Sequence, residues 1–140
     1  MAFTTTQKAP WFVYTVITTA RNHNFHVKAI KRTWGRHAEI AFFGSDVDGP
    51  PGSGIRRFNA HGKLQLGKKV MLMLHALGTE HPDYDFYVMT DDDTFIISHN
   101  LEGIIGTNFN SSDDLYAGYT LTHLGHAFVG GGGGIVLSKK

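Results

Sequence analysis

The sequence predicts an α/β domain built on a mostly parallel sheet. Three observations carry that prediction. Runs rich in β-branched and aromatic residues stand at positions 11–19, 39–45 and 86–89, with little polar alternation. Strands covered on both faces read this way. Between the runs lie stretches whose apolar residues recur at helical spacing. The resulting order, βαβ(β)αβαβ, is that of a layered α/β fold.

Taken in order, residues 1–10 (MAFTTTQKAP) read as an N-terminal extension, and residues 11–140 as the domain. Positions 11–19 (WFVYTVITT) form the first strand, which runs out at Thr18, Thr19, Ala20 and Arg21. Hydroxyls and a guanidinium at a strand's carboxyl end can hold a base, a ribose or a phosphate. Positions 26–34 form a helix with Val27, Ile30 and Trp34 on one stripe; Lys28, Lys31 and Arg32 lie off it, on a solvated face. Positions 39–45 (EIAFFGS) are the second strand, 48–54 (DGPPGSG) a loop, and 55–58 a short edge strand.

A second helix spans 64–77, with Leu66, Val70, Leu74 and Leu77 as its stripe and Met71 and Met73 beside it as core filler. The central strand follows. After Ser98, the expected cap, a third helix runs to 105. Positions 108–114 are a polar loop containing Asn110-Ser111-Ser112, which fits an N-glycosylation acceptor. Positions 115–121 (LYAGYTL) are a further strand.

The chemistry concentrates in residues 85–97, DFYVMTDDDTFII. An apolar run stops abruptly at Asp91, Asp92 and Asp93, and apolar residues resume at Phe95, Ile96 and Ile97. Adjacent carboxylates repel by about 1 kcal/mol per pair at ~4 Å in water, and by more at a partly buried strand end. A positive partner is therefore expected. Hard oxygen ligands suit Mg²⁺ or Mn²⁺, which bind diphosphates, and open α/β sheets bind ligands at the carboxyl ends of their strands. The stretch thus reads as a metal–nucleotide site. The plainer alternative is a solvated turn with Asp93 or Thr94 capping a helix. A glycine run, Gly130 to Gly134, stands between core-type residues: Phe128 and Val129 before it, Ile135 to Leu137 after it. It reads as backbone brought close to a ligand, or held at angles that other residues cannot adopt, rather than as a linker.

Composition excludes several classes. The chain has 140 residues, 41% of them hydrophobic, so it is one domain at most with a real core. Net charge is +1 with Lys and Arg dispersed, which argues against nucleic acid as the main ligand. With no cysteine there is no disulfide, thiolate zinc site or Cys nucleophile. No run approaches the apolar length of a membrane span, and the first ten residues lack a signal peptide's pattern.

Four segments in order resemble the Fringe-like branch of glycosyltransferase family 31. They are Thr18 and Thr19 with Arg21, KAIKRTW at 28–34, DDDTFI at 91–96, and FVGGGGGIVLSK at 128–139. The resemblance implies a GT-A type, Rossmann-like fold that binds a UDP-sugar. It implies inverting, Mn²⁺-dependent transfer of a hexose or N-acetylhexosamine to a hydroxyl of a glycan or glycoprotein acceptor, with Mg²⁺ as the alternative ion. By this analogy Asp93 coordinates the metal, Asp91 and Asp92 contact the donor, and Thr18, Thr19 and Arg21 line the uridine-diphosphate pocket. Gly131, Gly132 and Gly134 would lie under donor sugar and acceptor. A lumenal Golgi location, through a membrane anchor that these residues do not include, is also implied.

Departures from the family pattern shape the expectation. Ala20 separates Arg21 from the two threonines. The family's base, an Asp, and its second metal ligand, a His, follow the glycine segment, so no catalytic residue is assigned here and the base is expected beyond Lys140. His123 and His126 precede that segment, and all nine histidines read as surface or packing residues. The chain therefore reads as the donor-binding part of a transferase, truncated at both ends, that binds UDP–Mn²⁺ weakly without turnover. The rival from another class is a non-catalytic nucleotide-sugar- or glycan-binding module. A DxDxT phosphohydrolase ranks last, because Phe95 stands where that motif needs Thr.

Overall fold

The computed structural model describes residues 9–140, so most of the expected N-terminal extension (residues 1–8) lies outside the described residues. Eight strands form: β1 Phe12–Ile17, β2 Ile40–Ser45, β3 Ile55–Arg57, β4 Phe86–Asp91, β5 Tyr116–Gly118, β6 Thr120–His123, β7 His126–Val129 and β8 Ile135–Ser138. Three α-helices accompany them: α1 Lys28–Arg32, α2 Leu66–Glu80 and α3 Ser98–Asn108. Six strands make one sheet in the order β3-β2-β1-β4-β8-β5, while β6 and β7 pair only with each other. β3, β2, β1 and β4 are parallel neighbours, and β8 runs antiparallel between β4 and β5. The expectation of a mostly parallel sheet in an α/β domain is met.

Two cores flank the sheet, because successive side chains of a strand point to opposite faces. On one face Phe12, Tyr14, Val16, Phe86 and Val88 pack with Val27, Ile30 and Trp34, and with Ile96 and Ile105. On the other, Val13, Tyr87 and Met89 pack with Phe42, Phe58 and the α2 residues Met73, Ala76 and Leu77. Phe12 and Phe86 stack across neighbouring strands with centroids 4.9 Å apart. The strand order changes direction between β1 and β4, since β2 and β3 continue on one side of β1 and β4 lies on the other. Such a switch leaves a crevice at the carboxyl ends of the two strands.

Several elements differ from expectation. The first helix begins earlier: a 3₁₀ turn at Ala20–Asn22 and a π-turn at His23–Val27 lead into α1. Its stripe of Val27, Ile30 and Trp34 is buried as expected. On α2 the stripe is rotated. Lys69, Met73, Ala76 and Leu77 are buried, Val70 and Leu74 pack at the margin, and Leu66 and Met71 face solvent. A lysine at the first inward position hid this phase from hydrophobic periodicity. Ser98 is not a cap: it is the first residue of α3, and its Oγ donates to His37 O at 3.3 Å. The strand expected over residues 115–121 breaks at Tyr119 into β5 and β6. β6 has left the sheet to pair with β7, so Phe128, read as a core-type flank of the glycine run, is half exposed at 46%.

Candidate functional site

Parallel pairing of β1 with β4 sets Ile17 level with Asp91. Thr18 and the acidic triplet therefore leave the sheet side by side at the switch. Thr18 is buried, and its Oγ1 donates to Asp92 Oδ2 at 2.6 Å. Asn22 Nδ2 donates to both oxygens of Asp92, at 2.9 and 3.2 Å. His26 Nδ1 lies 3.1 Å from Asp92 Oδ1. The irregular turns after β1 explain this convergence, because they bring residues 18, 22 and 26 to the same side, facing β4. Asp92 is thus held on both oxygens by the chain itself.

Behind these strand ends stands a buried cation, Lys69, within electrostatic reach of Asp92. It is 5% exposed, and its Nζ donates to Thr18 O at 2.7 Å. Burial lowers its pKa, and attraction from Asp46 and Asp92 works against that. Asp46, at the end of β2, accepts from Ala20 N at 3.3 Å and from Ser45 Oγ at 3.2 Å. Burial raises its carboxyl, but its backbone and Ser45 hydrogen bonds and the Lys69 charge outweigh that and leave it below the usual value. His23 Nε2 reaches Ser45 Oγ at 2.7 Å. The ends of β1, β2 and β4 are therefore one polar network around Lys69 and Asp92.

Asp91 and Asp93 are placed differently. Asp91 is partly buried and Asp93 is exposed. Burial, then repulsion from Asp93 and Asp92, raises the Asp91 carboxyl above the usual range. The glycine run forms a 3₁₀ turn at Gly131–Gly133 that folds over this corner. Thr94 Oγ1 donates to Gly132 O at 2.6 Å, and a Cβ placed on Gly132 would come 3.8 Å from Asp91 Oδ2. Gly134 has φ 90°, a conformation that favours glycine, and a Cβ there would stand 3.9 Å from the buried Thr90 hydroxyl, which has no partner among the described residues. Beside the turn, a cleft of about 350 Å³ is lined by Thr94, Phe95, Leu101, Gly133, Gly134 and Val136. A larger hollow, about 590 Å³, lies at the opposite ends of the strands around Trp11, Arg36, Glu39 and Tyr84, away from the acids.

The structure thus gathers Thr18, Asp91, Asp92, Asp93 and the glycine turn, with Thr94 joining the turn to the acids. Thr19 and Arg21 are exposed, with no side-chain partner among the described residues. Lys69, Asn22, His23 and His26 were missed by sequence reasoning, and the reading of every histidine as surface or packing overlooked two that meet the strand ends. No local pattern announces them, since each lies tens of residues from its partner in the chain. The only available signal was electrostatic: three carboxylates demand a cation, and Lys69 stands on the inward phase of α2.

Among the described residues, no group of three or more His, Asp or Glu side chains converges as a metal cage. The donor set still suits a hard divalent ion. Mg²⁺-type ions are held by one or two carboxylates plus substrate phosphates rather than by all-protein cages, and a cation would relieve the repulsion recorded at Asp91.

No family model matches the chain. It is similar to a glycoprotein-N-acetylgalactosamine 3-beta-galactosyltransferase 1 of Xenopus laevis, 26% identical over 121 residues, which cover 84% of this chain and 33% of that protein. It is also similar to a beta-1,3-glucosyltransferase of Mus musculus, 28% identical over 131 residues, covering 89% of this chain and 26% of that protein. The chain therefore spans about a third and about a quarter of the length of these two curated relatives. With two β1,3-glycosyltransferases matched over most of its length, the chain bears out the resemblance to glycosyltransferase family 31 carried by its own motifs.

Proposed function

We propose that this chain is the donor-binding part of a metal-dependent glycosyltransferase of the GT-A type that uses a UDP-sugar and inverts at the transferred carbon. One observation carries the reading: the β1/β4 switch brings Thr18 and three carboxylates together under a glycine turn. That is where an open α/β sheet binds a nucleotide. The two relatives support sugar transfer as the reaction class.

In this reading Asp93, exposed at the rim, holds Mn²⁺ or Mg²⁺, and Asp91 faces the donor's ribose or sugar. Asp92 also lies against the donor, but its oxygens are committed to Thr18, Asn22 and His26, so it positions the pocket floor. Thr18, Thr19 and Arg21 border the uridine diphosphate. Gly131, Gly132 and Gly134 present bare backbone to the sugar and the acceptor, and the adjoining cleft is the room for the acceptor glycan. The bound ion would neutralise charge on the departing diphosphate. An inverting transfer also needs a base for the acceptor hydroxyl; none of the described residues is assigned that role. By the same resemblance we assign it to the lumenal side of Golgi membranes. Among the described residues no helix is long and apolar enough to cross a membrane.

Calorimetric titration of UDP with and without Mn²⁺ tests the proposal. Asp93→Asn should remove the Mn²⁺-dependent part of the affinity, a loss of about tenfold or more for one charged ligand, with the circular dichroism unchanged. Identical titration curves for the two proteins would overturn the metal assignment.

A further inference from the structure

The polar loop between α3 and β5 holds the only Asn-Xaa-Ser/Thr triplet in the sequence, Asn110-Ser111-Ser112. The tripeptide alone is a weak signal; its geometry is more specific. Asn110 is exposed, and its Oδ1 accepts two hydrogen bonds, from Ser112 N and from Ser112 Oγ, both at 3.0 Å. Asn110 Nδ2 has no partner among the described residues. The carboxamide is thus polarised through its oxygen by the hydroxyl two residues on, while its nitrogen is open to solvent. Ser111 Oγ anchors the loop to Asp85 Oδ1 at 3.2 Å, leaving Asn110 outward.

The position is also permissive. Asp85 precedes β4, so the loop sits at the amino end of that strand, and the acids leave from its carboxyl end. β4 has 6 residues, which at about 3.3 Å per residue puts roughly 20 Å of strand between the two ends. A glycan here would project away from the acid corner. It would also cover exposed apolar surface beside it: Phe109 is 44% exposed and Tyr116, on the edge strand β5, is 58% exposed. Unshielded edges invite pairing with other chains.

We propose that Asn110 is an N-glycosylation site of this protein. Nδ2 attacks the anomeric carbon of an oligosaccharide carried on a polyisoprenyl diphosphate. The new C–N bond forms as the C–O bond to the diphosphate breaks, and one carboxamide proton leaves to the transferase's base. The Asn110–Ser112 turn involves three consecutive residues, so the nascent chain can make it before the domain folds. The inference rests on the lumenal location proposed above.

The test translates the full chain behind a cleavable secretory leader, with a C-terminal tag bearing an Asn-Xaa-Thr acceptor, in the presence of rough microsomes. Only molecules glycosylated on the tag are scored, so every scored molecule has met the transferase. Expected is a second glycosidase-sensitive mobility step that disappears in both Asn110→Gln and Ser112→Ala and persists in Ser112→Thr. A wild-type chain carrying the tag glycan alone would overturn the proposal, as would a second step that survives Asn110→Gln. The donor site fails independently: glycosylated and Asn110→Gln chains should bind UDP–Mn²⁺ alike, so absence of binding in both would count against the function and not against Asn110.

Discussion

The β1–β4 pair and the β6–β7 hairpin are made of similar residues and meet opposite fates. β1 (FVYTVI) and β7 (HAFV) both mix aromatic and aliphatic side chains, as strands do. Phe12 through Val16 are all buried, whereas every residue of β6 is exposed and Phe128 on β7 stays half open. Helices cover β1 on both faces; among the described residues no helix covers the hairpin. Strand propensity formed both, and the layers around them decided which became core. The polar network at the ends of β1 and β4 stands on that covered pair, while the hairpin joins the same corner through the glycine turn.

Cutting into the covered pair should have the largest effect. Phe86, 1% exposed and stacked on Phe12, should cost about 3–5 kcal/mol as Phe86→Ala. Phe128→Ala should cost under about 1 kcal/mol. Urea midpoints at constant m-value check both, and equal losses would mean that the hairpin is part of the core.

Next in size is Lys69→Met. It keeps the stem's length but leaves Thr18 O without its donor and removes a buried charge that acts on Asp46 and Asp92. A loss of about 2 kcal/mol is expected, because a hydrogen bond to a charged group is missing from a buried position. Scanning calorimetry reads it, and an unchanged Tm would deny Lys69 its role at the strand ends.

Asp91→Asn should act in the opposite direction. Burial and its neighbours raise the Asp91 carboxyl in the folded chain. Between the unfolded and folded values the native state binds more protons, so stability falls as pH rises through that window, and ionised Asp91 costs stability at neutral pH. Without divalent ion the variant should be more stable at pH 7 by less than about 1 kcal/mol. The gain should vanish below the carboxylate range, and a destabilised variant at pH 7 would contradict the assignment.

Smallest is Gly125→Ala. Leu124 and Gly125 form the hairpin turn with φ 49° and 79°, and alanine resists the second angle. The cost, about 1 kcal/mol, should fall on the hairpin alone. Amide exchange in β6 and β7 should rise while the global unfolding free energy stays within about 0.5 kcal/mol of the parent.

The α/β architecture, its parallel strands and the acidic strand end could be read directly from residue patterns. Val27, Ile30 and Trp34 repeat at helical spacing, and an uncovered carboxylate triplet after FYVMT has few innocent readings. The α2 stripe was misread because Lys69 occupies an inward position, and the strand over residues 115–121 because nothing local reports that the sheet ends at Gly118. Asn22, His23 and His26 were passed over because a side chain's partner depends on where the other strand leaves the sheet.

Local physics therefore accounts for where strands and helices form, and charge alone announces that residues 91–93 need a cation nearby. Where the buried cation stands depended on packing: the layering of α2 against β1 carries the Lys69 ammonium to Thr18 O, within electrostatic reach of Asp92. Propensity and periodicity act over a few residues, but Thr18 and Asp92 meet across 74 positions. That meeting is set by the register of two parallel strands, which exists only once both faces of the sheet are covered.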